Sequence, residues 1–302
     1  MDDAALFGLS PLPGGHSGET FLASAAGEQT VVRVYAGRGA ARGPEASTVD
    51  AAVLRLVRGL LPVPEVLEVR RPDPAGQAPA LLVTSHLPGT RLDLLLPELD
   101  ATARASVGRH LGRLLARLAC MPMPRRGLFV DGDLRVTPLP ATDLVELVDQ
   151  ARASTALQDW PPDELAALLE VADRAQMLLD GVTRTCLVHG DLNPKNLLVD
   201  PDSLAVTGLL DWEFAHAGVP GTDLGNLLRF EREDTFATSV QEAYARDVPD
   251  AGEDLLDVAR AADLPALLDL AGRRGENPVT EQAHHLLRAV ALERDLHALP
   301  PY

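Results

Sequence analysis

Apolar and polar positions change rhythm near residue 90. Before it, short apolar runs alternate with turn residues. Residues 6–12 are a strand candidate, and Pro13-Gly14-Gly15-His16-Ser17-Gly18 is a turn-rich loop. Residues 19–24 and 30–35 follow as strands around a turn at 25–29. Val49, Ala52, Val53, Leu56, Val57 and Leu60 recur at i, i+3/i+4 and predict a helix over 48–60, stopped by Pro62 and Pro64. Residues 66–69 and 80–84 predict two more strands across the loop 70–79. Ser85-His86-Leu87-Pro88-Gly89 then links this region to the rest. From Leu99 on the period is helical. Val107, Leu111, Leu114, Leu115 and Leu118 line one face. After a Pro/Gly-rich break at 121–140, helices are predicted near 142–153, 163–180, 235–246, 251–270 and 280–298. Residues 186–188 and 197–199 are apolar strand candidates on either side of a polar loop. The pattern implies an α+β chain divided into 1–84, a linker at 85–89 and a mostly helical part, 90–302.

With 302 residues and 46 % apolar content, the chain can bury the core of a two-lobed enzyme or of two small domains. A formal charge of −17 argues against a nucleic-acid partner, because a phosphate backbone needs a basic face. A cationic ligand and a plain solvated acidic surface both fit it. Cys120 and Cys186 lie in apolar surroundings, which suits a reducing cytoplasm and no disulfide framework. Asp2 and Asp3 follow Met1 with no basic leader region, and no apolar run is long enough for a bilayer. The expectation is a cytoplasmic protein with no membrane partner. Lys195 is the single lysine.

The polar loop carries the chemistry. His189-Gly190-Asp191-Leu192-Asn193-Pro194-Lys195-Asn196 contains H-x-D-x-x-x-x-N, and fifteen residues later an apolar run ends in Asp211-Trp212. Asp191 can accept the proton of an attacking hydroxyl, and as a loop carboxylate it is expected to be solvated and ionised near pH 4. Asn196 and Asp211 offer the hard oxygens that Mg2+ prefers. His189 is expected to brace the loop. Lys195 is a second cation in reach of a phosphate. Gly15, Ser17 and Gly18 could bring backbone N–H groups close to phosphate oxygens.

HGDLNPKN followed by LLDWEFAHAGVPGTDLGNLL resembles the aminoglycoside phosphotransferase family, small-molecule kinases with a protein-kinase-like fold. The resemblance implies a bilobal fold: a five-stranded antiparallel sheet with one main helix, then a helical carboxyl-terminal lobe. It implies ATP, with GTP left open, Mg2+, and transfer of the γ-phosphate to a small-molecule hydroxyl. An aminoglycoside-type or other antibiotic is one such acceptor; an amino alcohol, hydroxy amino acid or sugar is the alternative. A pseudokinase that binds nucleotide without catalysis is the rival from another class. Asp191 takes the position of the catalytic base. The strand cation falls on Arg33 instead of lysine, and its helix partner on Asp50, with Glu45 second. Adenine would meet Ser85, His86 and Leu87. Asp223 matches the family's structural aspartate and suits an N-cap. Gly190 stands where a regulated protein kinase has arginine, and only 11 residues separate Asp211 from Asp223, which favours a small acceptor. Glu231, Glu233 and Asp234 are the residues expected to meet a cationic acceptor.

Overall fold

The computed structural model describes residues 7–12, 19–25, 27–36, 42–73, 75, 78–138, 142–248 and 251–300. The amino-terminal sheet is built from β1 (Phe7–Pro11), β2 (Glu19–Ala25), β3 (Glu28–Tyr35), β4 (Val66–Arg70) and β5 (Ala80–Ser85). Its order is β1-β2-β3-β5-β4, antiparallel throughout. Val31, Val32, Val34 and Tyr35 suit a central strand because branched and aromatic side chains pack well on a pleated surface. Arg33 sits in that strand, opposite Thr20 on one side and Leu82 on the other. Helix α1 (Ala46–Val57) packs on β4 and β5 and also touches the turn at Trp212–Phe214. Its buried face carries Val49, Val53, Leu54 and Val57, so the spacing read in the sequence is the core face only in part: Leu56 is exposed, and Leu60 is exposed beyond the helix end.

Residues 86–89 lead into β6 (Thr90–Arg91), which pairs with β10 (Leu197–Val199). β10 pairs in turn with β11 (Val206–Leu209). A second small sheet joins β7 (Gly127–Phe129), β8 (Val136–Thr137), β9 (Cys186–Val188) and β12 (His216–Gly218) in the order β8-β7-β12-β9. The sequence pattern shows no strand at β7, β8 or β12, since two or three residues are too few to display a period of two. The loop bearing Asp191 therefore passes from one small sheet to the other, with both flanking strands buried.

The helices are α2 (Leu92–Leu95), α3 (Ala101–Ala119), α4 (Leu144–Ser154), α5 (Pro162–Asp180), α6 (Thr222–Leu227), α7 (Asp234–Asp247), α8 (Leu255–Gly272) and α9 (Pro278–Glu293). α3 starts at the N-cap Asp100, which accepts from Ala103 N. It lies directly on α7: a Cβ at Gly112 would come within 2.3 Å of the Val240 carbonyl, so only glycine permits this approach. One apolar cluster runs from Val53 and Leu82 through Leu111 and Leu115 to Leu192, Leu197, Leu209 and Trp212. The loop's flanking strands thus share a core with the amino-terminal sheet. A second cluster, around Trp160, Leu168, Leu264 and Leu287, is made by α4, α5, α8 and α9. Among the described residues no helix is long and apolar enough to cross a membrane.

Candidate active site

Asp191 is held by the two amides that follow it. Asn193 Nδ2 donates to Asp191 Oδ1 at 2.9 Å, and Asn196 Nδ2 donates to Asp191 Oδ2 at 3.0 Å. Asn196 Nδ2 also reaches the Asp191 carbonyl at 2.8 Å. The Asp191 carboxyl is therefore oriented from both oxygens. Burial raises its pKa above the ordinary aspartate value, against the Asn193 bond, and the Asp211 charge adds to the rise. This differs from the solvated carboxylate that the sequence implies. The loop folds back beneath its neighbours, a packing no local pattern records.

His189 is fully buried. Its Nε2 donates to the Leu210 carbonyl at 2.8 Å, and its Nδ1 accepts from Asp191 N at 3.3 Å. That pattern belongs to the neutral ring, and burial lowers the His189 pKa accordingly. The Trp212 ring lies 4.6 Å away, centroid to centroid. The backbone on both sides is fixed from α6: Asp223 Oδ2 accepts from His189 N and Asp223 Oδ1 from Gly190 N, each at 2.9 Å. Asp223 is therefore not an N-cap. Gly221 holds the cap position, and the Asp223 carboxylate leaves its own helix because two buried N–H groups of the loop need acceptors. Gly190 has φ 84°, and a Cβ there would meet the Phe214 carbonyl at 2.5 Å, which excludes an arginine.

Asn196 and Asp211 are tied through the backbone, Leu210 N donating to the Asn196 carbonyl at 2.8 Å. Asp211 follows β11 in a left-handed conformation, φ 62° and ψ 63°, uncommon for a residue with a side chain. Asp211 Oδ1 accepts from Arg33 Nη1 at 2.8 Å. Arg33 Nη2 donates to Glu213 Oε2 at 2.6 Å. Burial alone would lower the Arg33 pKa, but the Asp211 and Glu213 charges outweigh it and raise it. Asp50, the helix partner expected for Arg33, is engaged elsewhere. Its oxygens accept from both Nη atoms of Arg42, at 2.8 and 2.7 Å, and from the Tyr35 hydroxyl at 2.7 Å. Glu45, the second choice, binds Thr48 and Arg71. The shorter aspartate stays on its own side of the cleft, and Glu213 reaches across instead. Glu213, Arg42 and Tyr35 have no motif around them, and only the DWE spacing after the strand could have drawn attention to Glu213.

A family model described as the phosphotransferase enzyme family matches residues 8–261. The chain belongs to that family. Two aminoglycoside 3'-phosphotransferases are similar to this phosphotransferase. The one from Streptomyces fradiae is 30 % identical over 202 residues, 65 % of this chain and 70 % of that protein. The one from Streptomyces ribosidificus is 31 % identical over 157 residues, 52 % of this chain and 54 % of that protein, so the match spans about half of its length. Among solved structures, the GDP complex of wild-type aminoglycoside 2'-phosphotransferase-IIIa has a TM-score of 0.69 at 16 % identity, covering 97 % of this chain and 95 % of that one. A thermostable mutant of APH(4)-Ia, in a ternary complex with AMP-PNP and hygromycin B, has a TM-score of 0.68 at 17 % identity, covering 95 % and 94 %. The bilobal α+β fold expected from the sequence is thereby the fold of this phosphotransferase.

The remaining predicted residues are dispersed around this centre. Gly15, Ser17 and Gly18 lie outside the described residues. Lys195 is exposed and makes no ion pair among the described residues; its backbone N donates to Asn193 Oδ1. At the linker, Ser85 N donates to the Glu65 carbonyl, and Ser85 Oγ accepts from Glu65 N, both at 2.9 Å. His86 N donates to the Gln29 carbonyl at 3.4 Å. Leu87 N has no partner among the described residues. Glu231 is half-buried and lines an open cleft with Asp93, Leu96, Pro97 and Arg104. Glu233 also borders this cleft, but its Oε2 accepts from Phe236 N at 2.8 Å and caps α7, which lowers its pKa. Asp234 lies in the first turn of α7 and does not line the cleft. Sequence reasoning also passed over Arg229, a buried residue whose Nε and Nη2 grip Asp263 at 2.7 and 2.5 Å. Its charge acts on Asp191.

Proposed function

We propose that this phosphotransferase moves the γ-phosphoryl group of ATP to a hydroxyl of a small molecule in the cytoplasm. The nucleotide lies between residues 1–84 and 90–302, which join at 85–89. The observation that carries the reading is the tie between Asp191, Asn196 and Asp211. One loop fixes a carboxylate from both oxygens, and the same Asn196 that fixes it is bonded to the residue before Asp211. An inactive nucleotide-binding protein would have no need of such an oriented base.

Asp191 orients the acceptor hydroxyl and takes its proton as the new P–O bond forms and the bond to the β–γ bridging oxygen breaks, releasing ADP. His189 and Asp223 hold the loop backbone for this step. Arg33, gripped by Asp211 and Glu213, sets a positive charge on the strand beside the phosphates. Of Ser85, His86 and Leu87, Leu87 has the backbone N–H left, among the described residues, for the adenine edge. Asn196 and Asp211 fit a divalent magnesium site: the Asn196 nitrogen is committed to Asp191, which leaves its carbonyl oxygen for a metal, and Asp211 supplies a carboxylate. Two protein oxygens are typical for magnesium that shares its remaining positions with phosphates and water. When bound, the ion would neutralise charge on the phosphates.

The solved neighbours were captured with GDP, or with AMP-PNP and hygromycin B, which supports nucleotide use and puts aminoglycosides on the acceptor panel. The net charge of −17 supports a partner other than nucleic acid. The test is ADP release by wild type and Asp191→Asn over aminoglycosides, amino alcohols, hydroxy amino acids and sugars. Asp191→Asn should lose about 10²–10⁴-fold in kcat while still binding nucleotide. Near-normal kcat in that variant would end the assignment.

A further inference from the structure

The open cleft bordered by Glu231 has a volume of about 410 Å³ with its mouth included. It adjoins the catalytic loop: α2, which contributes Asp93, packs on the turn Pro194–Asn196. Glu231 also follows by two residues the Arg229 whose charge acts on Asp191. The floor is apolar, from Leu96, Pro97 and Phe236.

Its charges are unequally engaged. Both oxygens of Asp93 are taken by Arg91, at 3.0 and 2.6 Å. Glu233 is spent on capping α7. Glu231 has no hydrogen-bond or ion-pair partner among the described residues. Burial raises its pKa, with the Arg104 charge opposing and the Asp93 charge adding to the rise. Arg104 donates through Nη2 to the Pro97 carbonyl at 3.3 Å, and its buried Nε has no partner among the described residues. One carboxylate and one guanidinium therefore line the same cleft, near enough to feel each other, yet form no ion pair. A purely cationic ligand would satisfy Glu231 and leave Arg104 facing like charge. A ligand carrying both signs satisfies both groups.

We propose that this cleft is the acceptor's head-group site and that it takes a small zwitterion: the ammonium on Glu231, the carboxylate on Arg104, with the hydroxyl reaching Asp191. The acceptor class is a hydroxy amino acid. This rests on the phosphotransferase reading and narrows it. The acceptor oxygen bonds to the γ-phosphorus of ATP, ADP leaves, and the hydroxyl proton passes to Asp191.

The test measures ADP release with L-serine, L-threonine and L-homoserine, with the matching amino alcohols that lack the carboxylate, and with kanamycin. Wild type should turn over a hydroxy amino acid with a KM at least tenfold below that of its amino alcohol. Arg104→Met should raise the amino-acid KM at least tenfold, with kcat within about threefold, and leave the amino-alcohol KM unchanged. Glu231→Gln should raise KM for both. Arg104→Lys, at the same melting temperature as Arg104→Met, should recover part of the affinity, which separates charge recognition from loss of folding. An amino alcohol used as well as the amino acid, or an Arg104→Met enzyme with unaltered KM, overturns the zwitterion site. Turnover of kanamycin alone, indifferent to Arg104, does the same and leaves the phosphotransferase intact. No ADP above the Asp191→Asn background with any acceptor overturns both.

Discussion

Glu213 is the residue whose replacement is most informative about the cleft. Its side chain is 5 % exposed and Arg33 is 16 % exposed, so solvent screens their contact little. Glu213→Gln keeps the shape and removes the charge. Urea unfolding should show a loss of about 1.5–3 kcal/mol, the usual range for a hydrogen bond to a charged group. The nucleotide KM should rise because Arg33 loses the charged anchor that Glu213 provides. If stability and KM both match wild type, Glu213 does not hold Arg33. Asp191 makes a second residue-scale prediction. The base must be ionised to take a proton, and burial lifts its pKa. The acid limb of kcat against pH should therefore fall at a midpoint above about 4, the ordinary aspartate value. Activity rises with pH through that midpoint and then levels. A midpoint at or below about 4 would mean that Asp191 titrates as a solvated group.

At the scale of elements, α6 holds the catalytic loop's backbone through Asp223. Asp223→Asn sets an amide N–H against one of two backbone donors, His189 N or Gly190 N. Leaving one buried donor unpaired costs about 1–3 kcal/mol. kcat should fall, and amide exchange at His189 or Gly190 should speed up; unchanged exchange at both would show that another group holds the loop. The loop itself is readable in the sequence, because His189, Asp191, Asn196 and Asp211 keep a fixed spacing along one stretch. α1 is readable in part: Val49, Val53 and Val57 are buried as their spacing implies, whereas Leu56 faces water; in β3 residues 30–34 are all half-buried, with no alternation, and Tyr35 is buried. Asp223 is visible as a residue and misjudged in role. Its helix start suggested a cap, and only the fold reveals the two N–H groups it serves. Arg33 is legible as the strand cation, whereas its partner is not. Glu213 lies 180 residues away, and a pairing across that distance leaves no local trace. Strands as short as β7 and β12 are set by what lies beside them, not by their own composition.

For the whole molecule, the centre joins both regions, so a ligand bound there should stabilise everything that shares its core. ATP and Mg2+ together should raise the melting temperature, and Asp211→Ala should remove the part that depends on Mg2+. Equal shifts in the two proteins would deny Asp211 the metal. The pair Arg33–Asp211 also has a consequence in time. At about 5–20 residues per second, the 178 residues between the two take roughly 9–36 s to synthesise. For that interval the amino-terminal sheet exists without the acids that will enclose its central guanidinium. Asp50, already made, is engaged by Arg42 and Tyr35. The contacts of Arg33 with Asp211 and Glu213 can form only once those residues have emerged. The cleft is therefore completed from its carboxyl-terminal side, late in the life of the growing chain.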